Sequence, residues 1–130
     1  MTMAWVVCNI KWIMLIAGAL TCTMAYMAIA PQPAMQSTFG ATLEGPLAEI
    51  IVRNWAILIV IGGVALIYGA FRPAVRAVIL AMTGAGKAVF IGLVLWQGAG
   101  MLEHQVVVAV VTDSLMVLLF ALYLLAPRPA

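Results

Sequence analysis

Apolar residues fill four stretches of the chain, and polar or helix-breaking residues separate them. The predicted spans are residues 12–30, 50–71, 74–96 and 105–126, and residues 31–49 form an outer loop. Each stretch has about 20 residues, the length of helix that crosses a hydrocarbon core about 30 Å thick. Backbone groups in lipid must be satisfied within the segment itself, so these stretches are helices. The pattern predicts an all-α integral membrane bundle of four transmembrane helices, a single domain over residues 1–130.

Proline and glycine mark the ends of the predicted spans. Pro31 follows span one, and Arg72-Pro73 makes a tight connection between spans two and three. Within the outer loop, Met35, Phe39 and Leu43 recur at helical spacing, which predicts a short interfacial helix. Removal of span one as a signal peptide is disfavoured, because Pro31 follows the A-x-A-like site and the apolar region is too long.

Small residues recur every fourth position in the third span, and a glycine pair lies in the second. Such rows let helix backbones approach closely in lipid, which predicts packing contacts and no chemistry. The rows and the pair are Gly84, Ala88 and Gly92; Ala77, Ala81 and Ala85; and Gly62-Gly63.

Composition agrees with a membrane protein and excludes several other classes. The chain is 67% hydrophobic and 8% charged, whereas soluble domains are about one-quarter charged. A net charge of +2 with scattered basic residues excludes nucleic acid as a partner. Cys8 and Cys22 lie about 20 Å apart along one helix, too far for a disulfide. One histidine, His104, makes no metal site, and no residue pattern identifies a cofactor.

Basic residues near the span ends predict the orientation of the bundle. Lys11, Arg72, Arg76 and Arg128 fall on one side, whereas Arg53 alone falls on the other with Glu44, Glu49, Glu103 and His104. Because basic residues are enriched on the cytoplasmic side, both termini are expected in the cytoplasm, in the cell inner (plasma) membrane. The rings of Trp12, Trp55, Trp96 and Tyr123 near span ends are expected at the interfaces.

Lys87 and Asp113 are the charged residues that lie deep inside the predicted spans, away from the span ends. Lys87 lies about 15 Å deep in span three, and Asp113 about 12 Å deep in the neighbouring antiparallel span four. An isolated charge there costs at least about 2.5–3.5 kcal/mol, which favours an ion pair. Thr83, Thr112 and Ser114 are candidate hydrogen-bonding supports. The pair is either a structural clasp or a site for a polar head group, a proton or an ion.

A second polar group opens span two near the outer face, at Glu49, Arg53 and Asn54. Glu49 and Arg53 are spaced as a favourable i,i+4 helix pair that would set the depth of the span. Alternatively, Arg53 lines an outer vestibule and offers a fork of donors to an anionic head group.

A series of short motifs follows one another along the chain. They are Phe39-Gly40, Val52-Arg53-Asn54-Trp55, Tyr68, Arg72-Pro73-Ala74-Val75-Arg76, Lys87 and Thr112-Asp113-Ser114-Leu115. Their order resembles the DoxX-like superfamily of small four-helix bacterial membrane proteins, from about Trp12 to Leu125. In similar chains an acidic residue precedes the lysine of span three, where this chain has Gly86. The resemblance implies little about activity, although a few relatives are associated with quinone-linked sulfur oxidation or redox homeostasis.

Three functions are compatible with the sequence. The first is a binding or accessory module for a lipophilic ligand or a larger membrane complex, with an apolar cavity that ends at Lys87, Asp113 and Arg53. The second is an oligomeric small transporter or channel. The third is a quinone- or lipid-linked membrane enzyme that uses Asp113 or Glu49 in proton transfer. The expected partners are the lipid bilayer, a lipid or quinone ligand, and further copies of the chain or a larger complex.

Overall fold

A computed structural model describes residues 2–127, which form α-helices and short 3-10 turns and contain no strand. The 3-10 turns are Pro73–Val75, between α4 and α5, and Ala99–Glu103, between α5 and α6. The helices are α1 (Met3–Cys22), α2 (Ala25–Ile29), α3 (Pro31–Phe39), α4 (Pro46–Ala70), α5 (Arg76–Gln97) and α6 (Val106–Leu125).

The part of the chain that the structure describes contains four helical segments long and apolar enough to cross a membrane. They are Met3–Ile29, Pro46–Ala70, Pro73–Gln97 and Val106–Leu125. The predicted all-α class with four apolar helices is therefore confirmed. The first helix begins at Met3, well before the predicted start of span one at residue 12, because the apolar residues before Lys11 continue it. Arg128 lies outside the described residues.

The first span is broken between α1 and α2. The amides of Thr23 and Met24 donate to the carbonyls of Leu20 and Thr21, three residues back, so the helix tightens at this point. The hydroxyls of Thr21 and Thr23 donate to the carbonyls of Ala17 and Leu20. Threonine hydroxyls that bond back to the preceding turn bend helices. The break follows from these threonines.

The outer loop contains the predicted short helix, but with a different end. Pro31 occupies the first turn of α3, where a missing N–H costs nothing. Gly40 ends the helix with φ 73°, a left-handed conformation that favours glycine. The prediction that Leu43 continues the helical spacing was wrong, because the chain has already turned at Gly40 and Leu43 lies in the loop.

The long helices pack around a shared axis, each mainly against two others. α1 contacts α4 and α6, and α5 contacts the same two helices. α1 and α4 approach each other closely: a Cβ added to Gly63 would lie 2.9 Å from the Gly18 carbonyl oxygen. Glycine at both positions allows the backbones to meet. On α5, Gly84 is buried, whereas a Cβ added to Gly92 would meet no atom within 4 Å.

Three apolar clusters fill the interior along its length. The inner cluster joins all four spans and includes Met14, Leu66, Leu80 and Phe120. Tyr123 also lies in this cluster and is 7% exposed, so its ring packs in the core, and its expected level at a membrane interface stays a prediction. The outer end has two smaller clusters. One is built from Met27, Ala34, Met35, Val52 and Ala56, and the other from Val94, Val106 and Val110.

Candidate functional site: an ion pair between apolar clusters

Lys87 on α5 and Asp113 on α6 form an ion pair inside the bundle, as predicted. Lys87 Nζ lies 2.9 Å from Asp113 Oδ1, and the two side chains are 11% and 19% exposed. Antiparallel α5 and α6 are joined by a short connection, which brings the two charges to one level. At 2.9 Å the contact is a charge-assisted hydrogen bond. Among residues 2–127 it is the one ion pair within 4 Å.

Thr21 on α1 is the third member of the cluster. Lys87 Nζ donates a hydrogen bond of 3.1 Å to Thr21 Oγ1, and the Thr21 hydroxyl donates to the Ala17 carbonyl oxygen over 2.7 Å. The Thr21 hydroxyl therefore accepts one hydrogen bond and donates another. Its single O–H donor is fully used. Thr21 is 7% exposed and lies at the break between α1 and α2. Thr21 therefore lies both beside the break in the first span and in the ammonium site.

The polar residues lie between the apolar clusters. On α5, Lys87 lies between Leu80 of the inner cluster and Val94 of an outer one. On α6, Asp113 lies between Val110 and Met116 in the same way. Lysine and aspartate therefore form a polar layer in the middle of an apolar interior, where low dielectric strengthens their attraction and makes either charge alone costly.

The predicted supports of the ion pair differ from those in the structure. Thr83 donates to the carbonyl of Ile79 on its own helix and makes no bond to the pair. Thr112 is half-buried and Ser114 is exposed, and within residues 2–127 neither forms a hydrogen bond with Lys87 or Asp113. Thr21 was missed, although a threonine in an apolar span was a visible signal. The sequence does not show which way the first span is rotated.

The second predicted group lies apart from the ion pair. Glu49 is in the first turn of α4 and half-buried, and Arg53 and Asn54 are exposed one turn further on. The predicted Glu49–Arg53 pair is not formed within 4 Å in the described chain. An exposed pair of this kind stabilises a helix by only a few tenths of a kcal/mol. The side-chain entropy lost in forming the pair offsets a gain of that size. A role of all five residues in ligand binding stays a prediction.

Within residues 2–127, two of the apolar grooves on the bundle have none of the five candidate residues in their walls. The lateral groove, between α2 and α4, has a volume of about 270 Å³ and is lined by residues such as Ala28, Ile57 and Val64. The outer groove has a volume of about 370 Å³ and lies where α3, the outer loop and α4 meet. Its walls include Met35, Phe39, Leu43, Val52, Trp55 and Met101. The predicted cavity was expected to end at the ion pair, and neither of these grooves does so.

Phe39 and Trp55 line the outer groove and belong to an aromatic row that continues away from it to Phe90. The ring centroids of Phe39 and Trp55 are 6.3 Å apart, and those of Trp55 and Phe90 are also 6.3 Å apart. These separations lie within the range of favourable aromatic contacts. The walls of the outer groove are therefore almost entirely apolar, with two aromatic rings among them.

No family model matches the chain, and comparisons with curated proteins and with solved structures also find no match.

Proposed function

We propose that this chain is a multi-pass protein of the cell inner (plasma) membrane that binds a lipophile, as a binding or accessory module. The observation that carries the proposal is the outer groove, an apolar concavity of about 370 Å³ with Trp55 in its wall. Concave apolar sites with a few placed polar groups are the usual form of small-molecule sites. Walls that are almost entirely apolar suit the acyl chain of a lipid or the ring and tail of a quinone.

The orientation that we propose has both termini in the cytoplasm. Support comes from charge: Lys11, Arg72 and Arg76 lie at one end of the bundle, and Glu49 and Glu103 lie at the other. The basic end is then the cytoplasmic end. A reporter fused to the C-terminus tests this orientation, and a reporter on the outer side would overturn it. In this orientation the outer groove faces the outer leaflet.

We also propose kinship with the DoxX-like superfamily. The support is the order of polar residues along the chain, with Arg53 at the start of the second span, Lys87 in the third and Asp113 in the fourth. Lys87 and Asp113 form the ion pair, so each charge inside the bundle needs the other as its partner. Related chains should then conserve or lose Lys87 and Asp113 jointly.

Native mass spectrometry of the full chain in a mild detergent tests lipophile binding. We expect a discrete extra mass of lipid or quinone on the wild type. Ala41 lines the outer groove, so Ala41→Phe should fill it and remove that mass. Ala88→Phe is the matched control, because Ala88 is exposed on α5 and away from the groove.

Quenching of tryptophan fluorescence by a short-chain benzoquinone gives a second readout. We expect saturable quenching that Ala41→Phe abolishes and Ala88→Phe preserves. Equal binding to both variants would overturn the groove as the site. A symmetric oligomer with no bound mass would favour the transporter or channel. Reduction of the bound quinone by a supplied donor would favour the enzyme.

A further inference from the structure

The inner end of the bundle carries three cations without a carboxylate partner. Lys11 lies on α1, Arg72 follows α4, and Arg76 begins α5. Among residues 2–127, no carboxylate lies within 4 Å of any of them, since the described ion pair joins Lys87 to Asp113. Glu49 is about 35 Å from Arg72 along α4. Charges separated by more than about 10 Å are screened at ordinary salt, so this distant carboxylate does not neutralise the inner cations.

Aromatic rings hold two of the cations in place. Lys11 Nζ lies 4.9 Å from the Phe71 ring centroid and 5.5 Å from that of Trp12. The Arg72 guanidinium carbon lies 5.8 Å from the Tyr68 ring centroid. Cation–π contacts orient a cation without neutralising it. Because Phe71 and Arg72 are consecutive, the contact between Lys11 and Phe71 brings the charge of α1 to the turn that follows α4.

Arg76 has a different role at the same turn. Its Nε and Nη2 donate to the carbonyl oxygens of Gly69 and Ala70, over 3.0 and 2.7 Å. These bonds satisfy the last carbonyls of α4 and fix the guanidinium beside the turn. Five N–H donors make up a guanidinium, so further donors remain for an external acceptor. Arg76 therefore places a positive charge at a fixed position beside this turn.

The exposed rings around these cations indicate that the partner is a lipid. Trp12, Tyr68 and Phe71 are 61%, 54% and 58% exposed. Amphipathic and aromatic rings at the ends of spans lie at the level of the lipid head groups. Basic residues at that level attract anionic lipids, by about 1 kcal/mol for each cation. An ion free in solution would contact the charged groups only and would leave the apolar surface of these rings exposed.

We propose that Lys11, Arg72 and Arg76, with their aromatic neighbours, form a binding site for the phosphate of an anionic phospholipid at the inner end of the bundle. The ammonium and guanidinium groups donate to the phosphate oxygens, and the exposed rings pack against the glycerol and the upper acyl chains. This site is separate from the outer groove, and neither depends on the other.

The test is retention of phosphatidylglycerol by the full chain, measured by native mass spectrometry from mixed micelles that also contain phosphatidylcholine. Lys11→Gln should weaken retention about 5-fold, and Lys11→Gln with Arg72→Gln about 30-fold, from about 1 kcal/mol per cation and tenfold per 1.4 kcal/mol. Lys11→Arg keeps the charge and should retain the lipid. Arg53→Gln removes one cation at the opposite end and should change retention less than 2-fold.

Two further measurements keep the proposal open to refutation if the double variant does not fold. Retention by the wild type should fall as salt rises from 0.05 to 0.5 M, and no change would overturn the proposal. Millimolar inorganic phosphate should not displace the lipid. Displacement would show a site for free phosphate and overturn the lipid assignment. Equal losses in Arg53→Gln and Lys11→Gln would also overturn it, because only net charge would then matter.

Discussion

Lys87 on α5 donates a 3.1 Å hydrogen bond to the hydroxyl of Thr21 on α1, across the interior of the bundle. The main neighbours of both helices are α4 and α6, so this contact joins two elements that otherwise meet little. Together with Asp113 it ties three of the four spans at one level. α1 ends at the same level, at Cys22, where the amides of Thr23 and Met24 bond to carbonyls three residues back.

Thr21→Val should weaken the bundle by about 1 kcal/mol. Valine keeps the shape of threonine but offers no acceptor to the ammonium, and hydrogen bonds between membrane helices are worth about 0.6–2 kcal/mol. The measurement is unfolding of the purified chain by titration with sodium dodecyl sulfate, followed by circular dichroism. Thr83→Val is the matched control, because Thr83 bonds only within its own helix. Equal losses in the two variants would contradict a special role for Thr21.

Lys87→Met and Asp113→Leu should each destabilise the chain strongly, by about 3–5 kcal/mol, because each leaves one charge without its partner. The double variant should recover most of that loss, since both charges are then gone. Monodisperse yield and the same detergent titration measure the recovery. If either single variant is as stable as the wild type, the pair does not act as a clasp. A stable double variant that no longer retains a lipophile would give the pair a role in binding.

Gly63→Ala should disturb the crossing of α1 and α4. The added Cβ would lie 2.8 Å from Cys22 Sγ and 2.9 Å from the Gly18 carbonyl oxygen, so the backbones must separate. Overpacking of this kind costs about 1–3 kcal/mol. Gly62→Ala is the matched control, because its nearest contact is Thr83 Cγ2 at 3.7 Å. The thermal midpoint should fall for Gly63→Ala and stay near the wild type for Gly62→Ala, and the reverse order would contradict the crossing.

Gly40→Ala should loosen the outer loop over the groove. Gly40 has φ 73°, where a side chain costs about 1–2 kcal/mol, and its added Cβ would collide with the His104 ring. Hydrogen exchange of the α3 amides should accelerate. Gly100→Ala is the control, because a Cβ there meets no atom within 4 Å. Adding His104→Ala should restore only part of the protection, since the backbone cost remains. Full restoration would show that the collision alone mattered.

The sequence predicted the parts of the site that depend on position along the membrane normal. Lys87 and Asp113 each lie a countable number of residues from a connection, so the regular rise of a helix brings them to one level. Thr21 could not be selected in the same way, because facing the interior depends on the rotation of α1. For the same reason the sequence did not show that the ring of Tyr123 packs inward, in the core. The outer groove forms where α3, the outer loop and α4 meet. No sequence pattern within one of these segments predicts it.

The sequence alone therefore determined four apolar helices and two opposite charges that need each other, because lipid solvates neither backbone groups nor isolated charges. The tertiary structure decided which residues face inward. These helices are apolar on nearly every side, so they lack the polar face that shows the orientation of a soluble amphipathic helix. Close packing at Gly18 and Gly63, and the hydrogen bond from Lys87 to Thr21, set those rotations instead.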